Sequence, residues 1–260
     1  MKRFASFFCR KLRLLALGLS VILIAGSCSA KYDLRLEQAG SAQVSLSATL
    51  SPRTVALIAG LSAFAQGGAS SAPAATALRA LDAASLSKTL KALNGISRVD
   101  LKNTSPNSVS GSFLVADPER ILSNAPLSGG KPAAELASVF KVERSASGGK
   151  ISMDLSPASA PAFLAALSPE IRDYLEALMA PIATGEEMGG TDYLELVELV
   201  YGSTIASELR TSVISVALEL PSPAFSVQGG SSKGKRVDFS IPLVDLLTLD
   251  KPISLGASWK

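Results

Sequence analysis

Two stretches near the start of the chain alternate hydrophobic and polar residues, the pattern of β-strands that bury one face. They cover residues 34–36 and 44–50, and Ala39-Gly40-Ser41 between them supplies turn residues. We therefore predict a β-hairpin. Ser51-Pro52 then predicts the start of a helix, because serine caps helices and proline is tolerated at the first helical position.

The rest of the chain alternates between helical spacing and strand-like alternation, separated by glycine-, serine- and proline-rich turns. Helices are predicted over residues 52–66, 75–93, 169–179 and 191–201, with a short one beginning at 117–118. Strands are predicted over residues 99–101, 109–115, 138–143, 150–155, 214–220, 225–227, 237–241 and 253–259. The expected fold class is α+β, an antiparallel sheet of hairpins with helices packed on one face.

The chain also contains an internal similarity. Leu50-Ser51-Pro52 recurs as Leu155-Ser156-Pro157, in each case after an alternating strand and before an Ala/Leu-rich helical stretch. One interpretation is a duplicated hairpin-helix unit with halves at 32–127 and 133–260. The alternative is chance similarity in a chain of low residue diversity. Under both interpretations residues 28–260 form a single domain.

The first residues follow the three-part plan of a secretory signal. A basic start precedes an apolar run at residues 14–25, and Gly26 and Ser27 lead to Cys28. The apolar run is about a dozen residues long, which is shorter than the roughly 20 that a membrane-spanning helix needs. A removed signal is therefore favoured over a permanent transmembrane anchor.

The segment that ends at Cys28 resembles the lipobox of bacterial lipoproteins, in which the cysteine is acylated before residues 1–27 are cut away. Gly26 and Ser27 fit this pattern, whereas Ala25 replaces the usual leucine, as in the looser lipoboxes of spirochaetes. The resemblance implies lipidation of Cys28 with acyl chains such as palmitate, and a membrane as partner. A plain cleaved signal with a free thiol and an uncleaved anchor are the alternatives.

This resemblance also implies a location in the cell envelope, on the periplasmic or outer-membrane face. The residue after the cysteine is Ser29 rather than the aspartate of inner-membrane retention, which favours the outer membrane. A diacylated cysteine provides the two acyl chains that stable anchoring requires. Only Ser29, Ala30 and Lys31 separate Cys28 from the predicted first strand, so we expect the domain to lie close to its bilayer.

The charge balance argues against nucleic acid as a partner. The whole chain carries a formal charge of +3, but five basic residues and no acidic ones precede Cys28, which leaves 20 basic against 22 acidic residues. The mature chain is thus about −2 and lacks the general basicity of nucleic-acid-binding domains.

The chain has no histidine, and Cys9 lies in the removed segment, so Cys28 is the one cysteine of the mature chain. Catalysis by Ser-His-Asp or Cys-His and histidine metal sites are therefore excluded. We expect no catalytic residue, metal or cofactor. The acidic residues are predicted to form a solvated helix face, with a carboxylate hydrolase as the minor alternative; they are Glu186, Glu187, Asp192, Glu195 and Glu198.

Three basic residues, Lys233, Lys235 and Arg236, lie in and beside a glycine-rich turn at 229–235. A flexible hairpin tip with solubilising charge is the plain interpretation. Contact with an anion or with anionic lipid heads is the sharper one, since backbone N–H groups of such loops bind anions.

The layout of residues 28–260 resembles the LppM-like lipoprotein domain family, with a lipidated start, a hairpin, a helical middle and a terminal hairpin after Leu-Pro-Ser-Pro at 220–223. This resemblance implies an envelope lipoprotein that binds a ligand, lipid or protein partner without catalysis. A structural or envelope-assembly factor is the alternative. No residue motif supports the resemblance, so it transfers no site.

Overall fold

The computed structural model describes a part of the chain that excludes residues 1–28. It covers residues 29–37, 40–53, 55–56, 82–91, 95–118, 139–145, 147–166, 172, 175–176 and 178–260. Most of the predicted helix at 52–66, the start of the predicted helix at 75–93 and most of the predicted helix at 169–179 lie outside these residues. Within them, no helix is long and apolar enough to cross a bilayer.

The described residues form two sheets and several helices. The strands are β1 (Ser29–Leu36), β2 (Ala42–Thr49), β3 (Ile96–Ser105), β4 (Ser108–Val115), β5 (Phe140–Ser145), β6 (Gly148–Leu155), β7 (Val213–Glu219), β8 (Ala224–Gln228), β9 (Gly230–Lys233), β10 (Arg236–Pro242) and β11 (Ile253–Trp259). The helices are α1 (Ala83–Lys91), α2 (Ala160–Ala166), α3 (Pro181–Thr184), α4 (Gly190–Tyr201), α5 (Ser203–Thr211) and α6 (Leu243–Thr248).

The larger sheet has seven strands in the order β3-β4-β2-β1-β7-β10-β9, and the smaller has four in the order β5-β6-β11-β8. The predicted α+β class is confirmed, and most strand pairs are antiparallel. The strands divide into two sheets rather than one, and β1 pairs in parallel with β7. A parallel neighbour must come from a distant part of the chain, because a tight turn reverses the strand direction.

Side-chain alternation places the core on one face of the larger sheet. On β1, Tyr32 and Leu36 are buried while Asp33 and Arg35 are exposed, and β10 alternates in the same way. Helix α4 adds Tyr193 and Val197, both fully buried, to the same core. Burying a large apolar side chain contributes roughly 1.5–3 kcal/mol, so this alternation fixes the register of the sheet.

Two core tyrosines differ in their hydrogen bonding. The hydroxyl of Tyr193 donates to the carbonyl of Leu178 at 3.2 Å. The buried hydroxyl of Tyr32 has no hydrogen-bond partner in the described part of the chain, and burial raises its pKa. An unpaired buried polar group destabilises the native state, whereas a paired one does not.

The same chemical deletion should therefore have opposite effects at these two sites. We expect Tyr193→Phe to lower the free energy of unfolding by about 1–2 kcal/mol, and Tyr32→Phe to raise it by about 1 kcal/mol. Urea denaturation of both variants measures the two changes. A stability loss of equal size in both would contradict the unpaired state of the Tyr32 hydroxyl.

The chain between β8 and β10 differs from the predicted turn at 229–235. Residues Gly230–Lys233 form strand β9, paired with β10, and only Gly234 and Lys235 make the turn. Gly229, with φ +69°, lies between β8 in the smaller sheet and β9 in the larger one. A glycine accepts this left-handed conformation without strain. Gly229 thus links a strand of the smaller sheet to a strand of the larger one.

Helices α3, α5 and α6 were not predicted. The strands that precede the two Ser-Pro sequences, β2 and β6, lie in different sheets. The duplication of halves 32–127 and 133–260 stays a prediction.

Candidate functional site

Strand β1 runs from one end of the larger sheet to the other. Ser29, the residue after Cys28, begins β1, and the β1–β2 turn at Gly40 lies at the other end, which we call the distal end. Because a strand rises about 3.3 Å per residue, β1 spans about 23 Å. In the strand register, Arg236 on β10 lies opposite Glu219 on β7, and Glu219 lies opposite Arg35 on β1. The turn at Gly234 and Lys235 therefore lies at the distal end.

The three basic residues of the predicted anion contact do not converge on one site. Arg236 binds Asp238, with Nη2 and Oδ1 2.9 Å apart, and approaches Asp33 at 3.7 Å. The hydrogen bond and charge of Asp238 raise the pKa of Arg236. Lys235 donates from Nζ to the carbonyl of Pro221 at 2.8 Å. Lys233 is exposed at the end of β9. Their contact with an anion stays a prediction.

A depression of about 250 Å³ lies on the open face of the larger sheet beside these residues. Its charged residues are Asp33, Arg35, Glu219 and Arg236, two acidic and two basic. Arg236 is already paired with Asp33, and Arg35 with Glu37. Neutralised side chains leave little net field for a charged ligand, so this depression is a poor binding site.

A larger opening of about 600 Å³, which we call the distal cleft, lies at one end of the smaller sheet. It is formed by the β5–β6 hairpin, the start of β8 and the end of β11. Its charged and aromatic lining residues are Glu143, Arg144, Lys150, Phe225, Trp259 and Lys260. Three are cations and one is an acid, so the cleft carries an excess of positive charge.

The cleft is built on a close contact between two glycines and Trp259. A Cβ atom on Gly149 would overlap the indole ring, with Cε2 only 2.8 Å away, and one on Gly148 would overlap the carbonyl of Trp259. Gly148 also has φ +144°, which other residues rarely adopt. The two glycines therefore let the β5–β6 hairpin lie against the end of β11, where Trp259 is only 5% exposed.

Arg144 lies where the two sheets approach each other. A Cβ atom on Gly40 would be 3.1 Å from Nη1 of Arg144, so the guanidinium reaches the β1–β2 turn of the larger sheet. Its Nη2 is buried and has no hydrogen-bond partner within the described residues. A buried donor of a charged group normally has an acceptor, and leaving it without one is unfavourable.

Phe225 projects at an irregularity in the strand pairing. Ala224 pairs with Trp259 and Ser226 with Ser258, so Phe225 is the extra residue of a β-bulge. Bulges redirect a side chain, and the ring of Phe225 is 63% exposed. The ammonium of Lys260 lies 5.7 Å from the centre of this ring, and the Ser222 hydroxyl donates to the carbonyl of Lys260.

The acidic residues of the sequence lie elsewhere. Glu195 and Glu198 are on the exposed side of α4, and Glu186, Glu187 and Asp192 are also exposed. Across the described ranges no group of three or more acidic or cysteine side chains is arranged to hold a metal ion. The structure does not bring these carboxylates to the distal cleft.

Sequence patterns did not reveal the distal cleft, because its side chains come from three separate segments of the chain. Gly148 and Gly149 were interpreted only as a turn between two strands. One signal was available in hindsight. A pair of adjacent glycines within a strand often marks a close approach of another chain segment, and the chain has a single tryptophan that can provide it.

Comparison with known proteins gives little to add to this geometry. No protein-family model and no curated protein matches the sequence. Among solved structures, the chain is similar to the folded domain of LppM from Mycobacterium tuberculosis, determined by NMR. The identity is 9%, 90% of each chain is covered, and the TM-score is 0.34. This likeness does not establish a shared family, so the site is argued from its own residues.

Proposed function

We propose that this protein is a non-enzymatic lipoprotein of the cell envelope, anchored through Cys28, that binds a ligand at the distal cleft. The observation that carries the proposal is that Ser29, the residue after Cys28, and the β1–β2 turn that Arg144 of the cleft reaches lie at opposite ends of β1. Ser29, next to Cys28, already belongs to β1, which lies at the centre of the seven-stranded sheet. The lipid would therefore hold the folded domain directly, and the cleft would face away from the bilayer.

A binding role is favoured over catalysis by the chemistry of the cleft. The whole chain lacks histidine, and the cleft offers one carboxylate, Glu143, rather than the pair that carboxylate-based hydrolysis uses. Cations, an exposed aromatic ring and hydroxyl groups are suited to holding a ligand. None of them is arranged as an activated nucleophile.

An envelope-assembly factor is the second candidate. Helix α4 exposes Leu199 to 84% and its neighbour Val200 to half of its surface. Exposed large apolar side chains that lie together often contact another protein. This face would serve assembly, whereas the distal cleft would serve ligand binding.

Purification of the native full-length protein from membranes in mild detergent tests the two candidates. We expect mass spectrometry to find a co-purified small molecule or glycan in the wild type. Its amount should fall in the cleft variant Phe225→Ala and not in Leu199→Ala, which removes an exposed apolar side chain elsewhere. A protein without bound ligand, whose cross-linked protein partners are lost in Leu199→Ala, would instead establish the assembly role.

A further inference from the structure

We propose that the distal cleft binds an acidic glycan, a sugar polymer that carries carboxylate or phosphate groups. This inference rests on the proposed function and names the ligand class. It combines three properties of the cleft that the fold itself does not require: unpaired cations, an exposed aromatic ring, and a guanidinium that lacks an acceptor.

The first property is unneutralised positive charge. Arg144, Lys150 and Lys260 line the cleft, and none of the three forms an ion pair with a described residue. The cations of the open sheet face, Arg35 and Arg236, are by contrast paired with acids. Glu143, the one acid of the cleft, lies directly across the strand pair from Lys150, so the net attraction for an anionic ligand comes mainly from Arg144 and Lys260.

The second property is the exposed ring of Phe225. A sugar ring presents a face of C–H groups that packs on an aromatic surface, which gives an exposed phenylalanine a partner of matching shape. The Lys260 ammonium lies over one face of the ring, 5.7 Å from its centre, so it places a positive charge close to a sugar packed on the other face. An acidic substituent on that sugar would then meet both contacts together.

The third property is the missing hydrogen-bond acceptor of the Arg144 guanidinium. A guanidinium presents five donors in a planar fork that matches carboxylate and phosphate groups. In Arg144 one of the two terminal nitrogens is buried without an acceptor. This arrangement reduces the stability of the protein alone, and an acidic group in the cleft would supply the negative counter-charge that the guanidinium lacks.

The shape and place of the cleft favour a polymer. The cleft is an open depression rather than an enclosed cavity, so a chain of sugars can pass through it. Arg144 of the cleft reaches the β1–β2 turn, and β1 separates this turn from Ser29 by about 23 Å. This distance exceeds the Debye length of about 8 Å at physiological ionic strength, so attraction from lipid heads at the anchored end would be screened.

Binding measurements on the full-length, lipidated protein in phosphatidylcholine nanodiscs test this proposal. The probes are an oligogalacturonate, which carries carboxylates, and a phosphorylated mannan. The comparison ligands are a neutral maltooligosaccharide of equal length, an oligothymidylate of equal charge, and phosphatidylglycerol vesicles. We expect at least one acidic glycan to bind, with an affinity that falls as salt rises, and the comparison ligands to bind at least about tenfold more weakly.

Matched variants locate the binding. We expect Phe225→Ala to weaken binding of the acidic glycan about tenfold and Lys150→Gln about threefold to fivefold. Lys141→Gln, on the same hairpin but outside the cleft, and Leu199→Ala should leave the affinity unchanged. Arg144→Met should weaken binding and yet raise the urea midpoint of unfolding, a combination that a purely structural role of Arg144 does not produce.

Several outcomes would overturn the inference. Tighter binding of oligothymidylate or phosphatidylglycerol than of either acidic glycan would show that the cleft is not selective for sugars. Equal losses in Lys141→Gln and Lys150→Gln would place binding outside the cleft. Failure of both acidic glycans, with a neutral ligand co-purified from membranes, would overturn the acidic-glycan inference and leave the proposed binding function standing.

Discussion

Gly149→Ala is expected to lower the free energy of unfolding by about 3 kcal/mol, although it adds a single methyl group. The added Cβ atom would overlap the indole ring of Trp259, which is nearly buried against the hairpin. The ring must then leave its pocket or the hairpin must move away from β11. Displacing a packed aromatic ring is among the larger single-residue effects. Urea denaturation measures the loss.

Gly256→Ala is the matched control for this variant. Gly256 lies in β11, where the nearest atom to an added Cβ is the carbonyl oxygen of Ile151 at 3.5 Å, an ordinary contact distance. We expect a change of less than about 1 kcal/mol. Equal losses in Gly149→Ala and Gly256→Ala would contradict the packing of Trp259 on Gly149. A selective loss would support it.

Cys28→Ser is expected to abolish incorporation of labelled palmitate and to leave residues 1–27 attached. In the lipoprotein pathway that we propose for this chain, diacylglycerol is attached through a cysteine thiol and the signal peptidase cuts only after that step, so a serine hydroxyl would block both steps. Each buried CH₂ group contributes about 0.8 kcal/mol to membrane binding, so the loss of two chains removes the anchor itself. Gel mobility and metabolic labelling measure processing and acylation.

Cys9→Ser is the matched control, because Cys9 lies upstream of the cleavage that we propose before Cys28. This variant should be labelled and processed like the wild type. Label retained in Cys28→Ser, or label lost in Cys9→Ser, would contradict the assignment of the lipid to Cys28. The two variants together separate a specific site from a general dependence on cysteine.

Local pattern predicted the local elements of the fold. Alternation and turn residues predicted the β1–β2 and β3–β4 hairpins, because strands joined by a short turn pair with each other. The helix predicted at 191–201 agrees with α4 within one residue. In each case the signal and its structural partner lie close together in the sequence.

Pairing between distant segments was not predictable from alternation. The parallel pairing of β1 with β7 leaves no mark on either strand, since both show the same alternation that antiparallel neighbours would require. Gly229 is one of the places where the chain passes between the two sheets, here from β8 to β9. A glycine-rich sequence there is equally compatible with a loop.

The candidate site was predictable only in part, because the residues that meet there are also distant in the sequence. The basic character of Lys233, Lys235 and Arg236 is visible in the sequence, but the acids that pair with Arg236 come from another strand and the same strand two residues on. Charge in a sequence therefore does not show which cations remain unpaired. The three cations of the distal cleft, which form no ion pair with a described residue, are brought together beside Phe225 and Trp259 by the smaller sheet.

The mass of the N-terminal peptide of the mature native protein tests the central claim most directly. We predict a peptide that begins at Cys28 and carries the added mass of diacylglycerol on its sulfur, with no form that retains residues 1–27. A peptide with an unmodified thiol at Cys28, or one that continues upstream of it, would contradict the account of a lipid-anchored envelope protein.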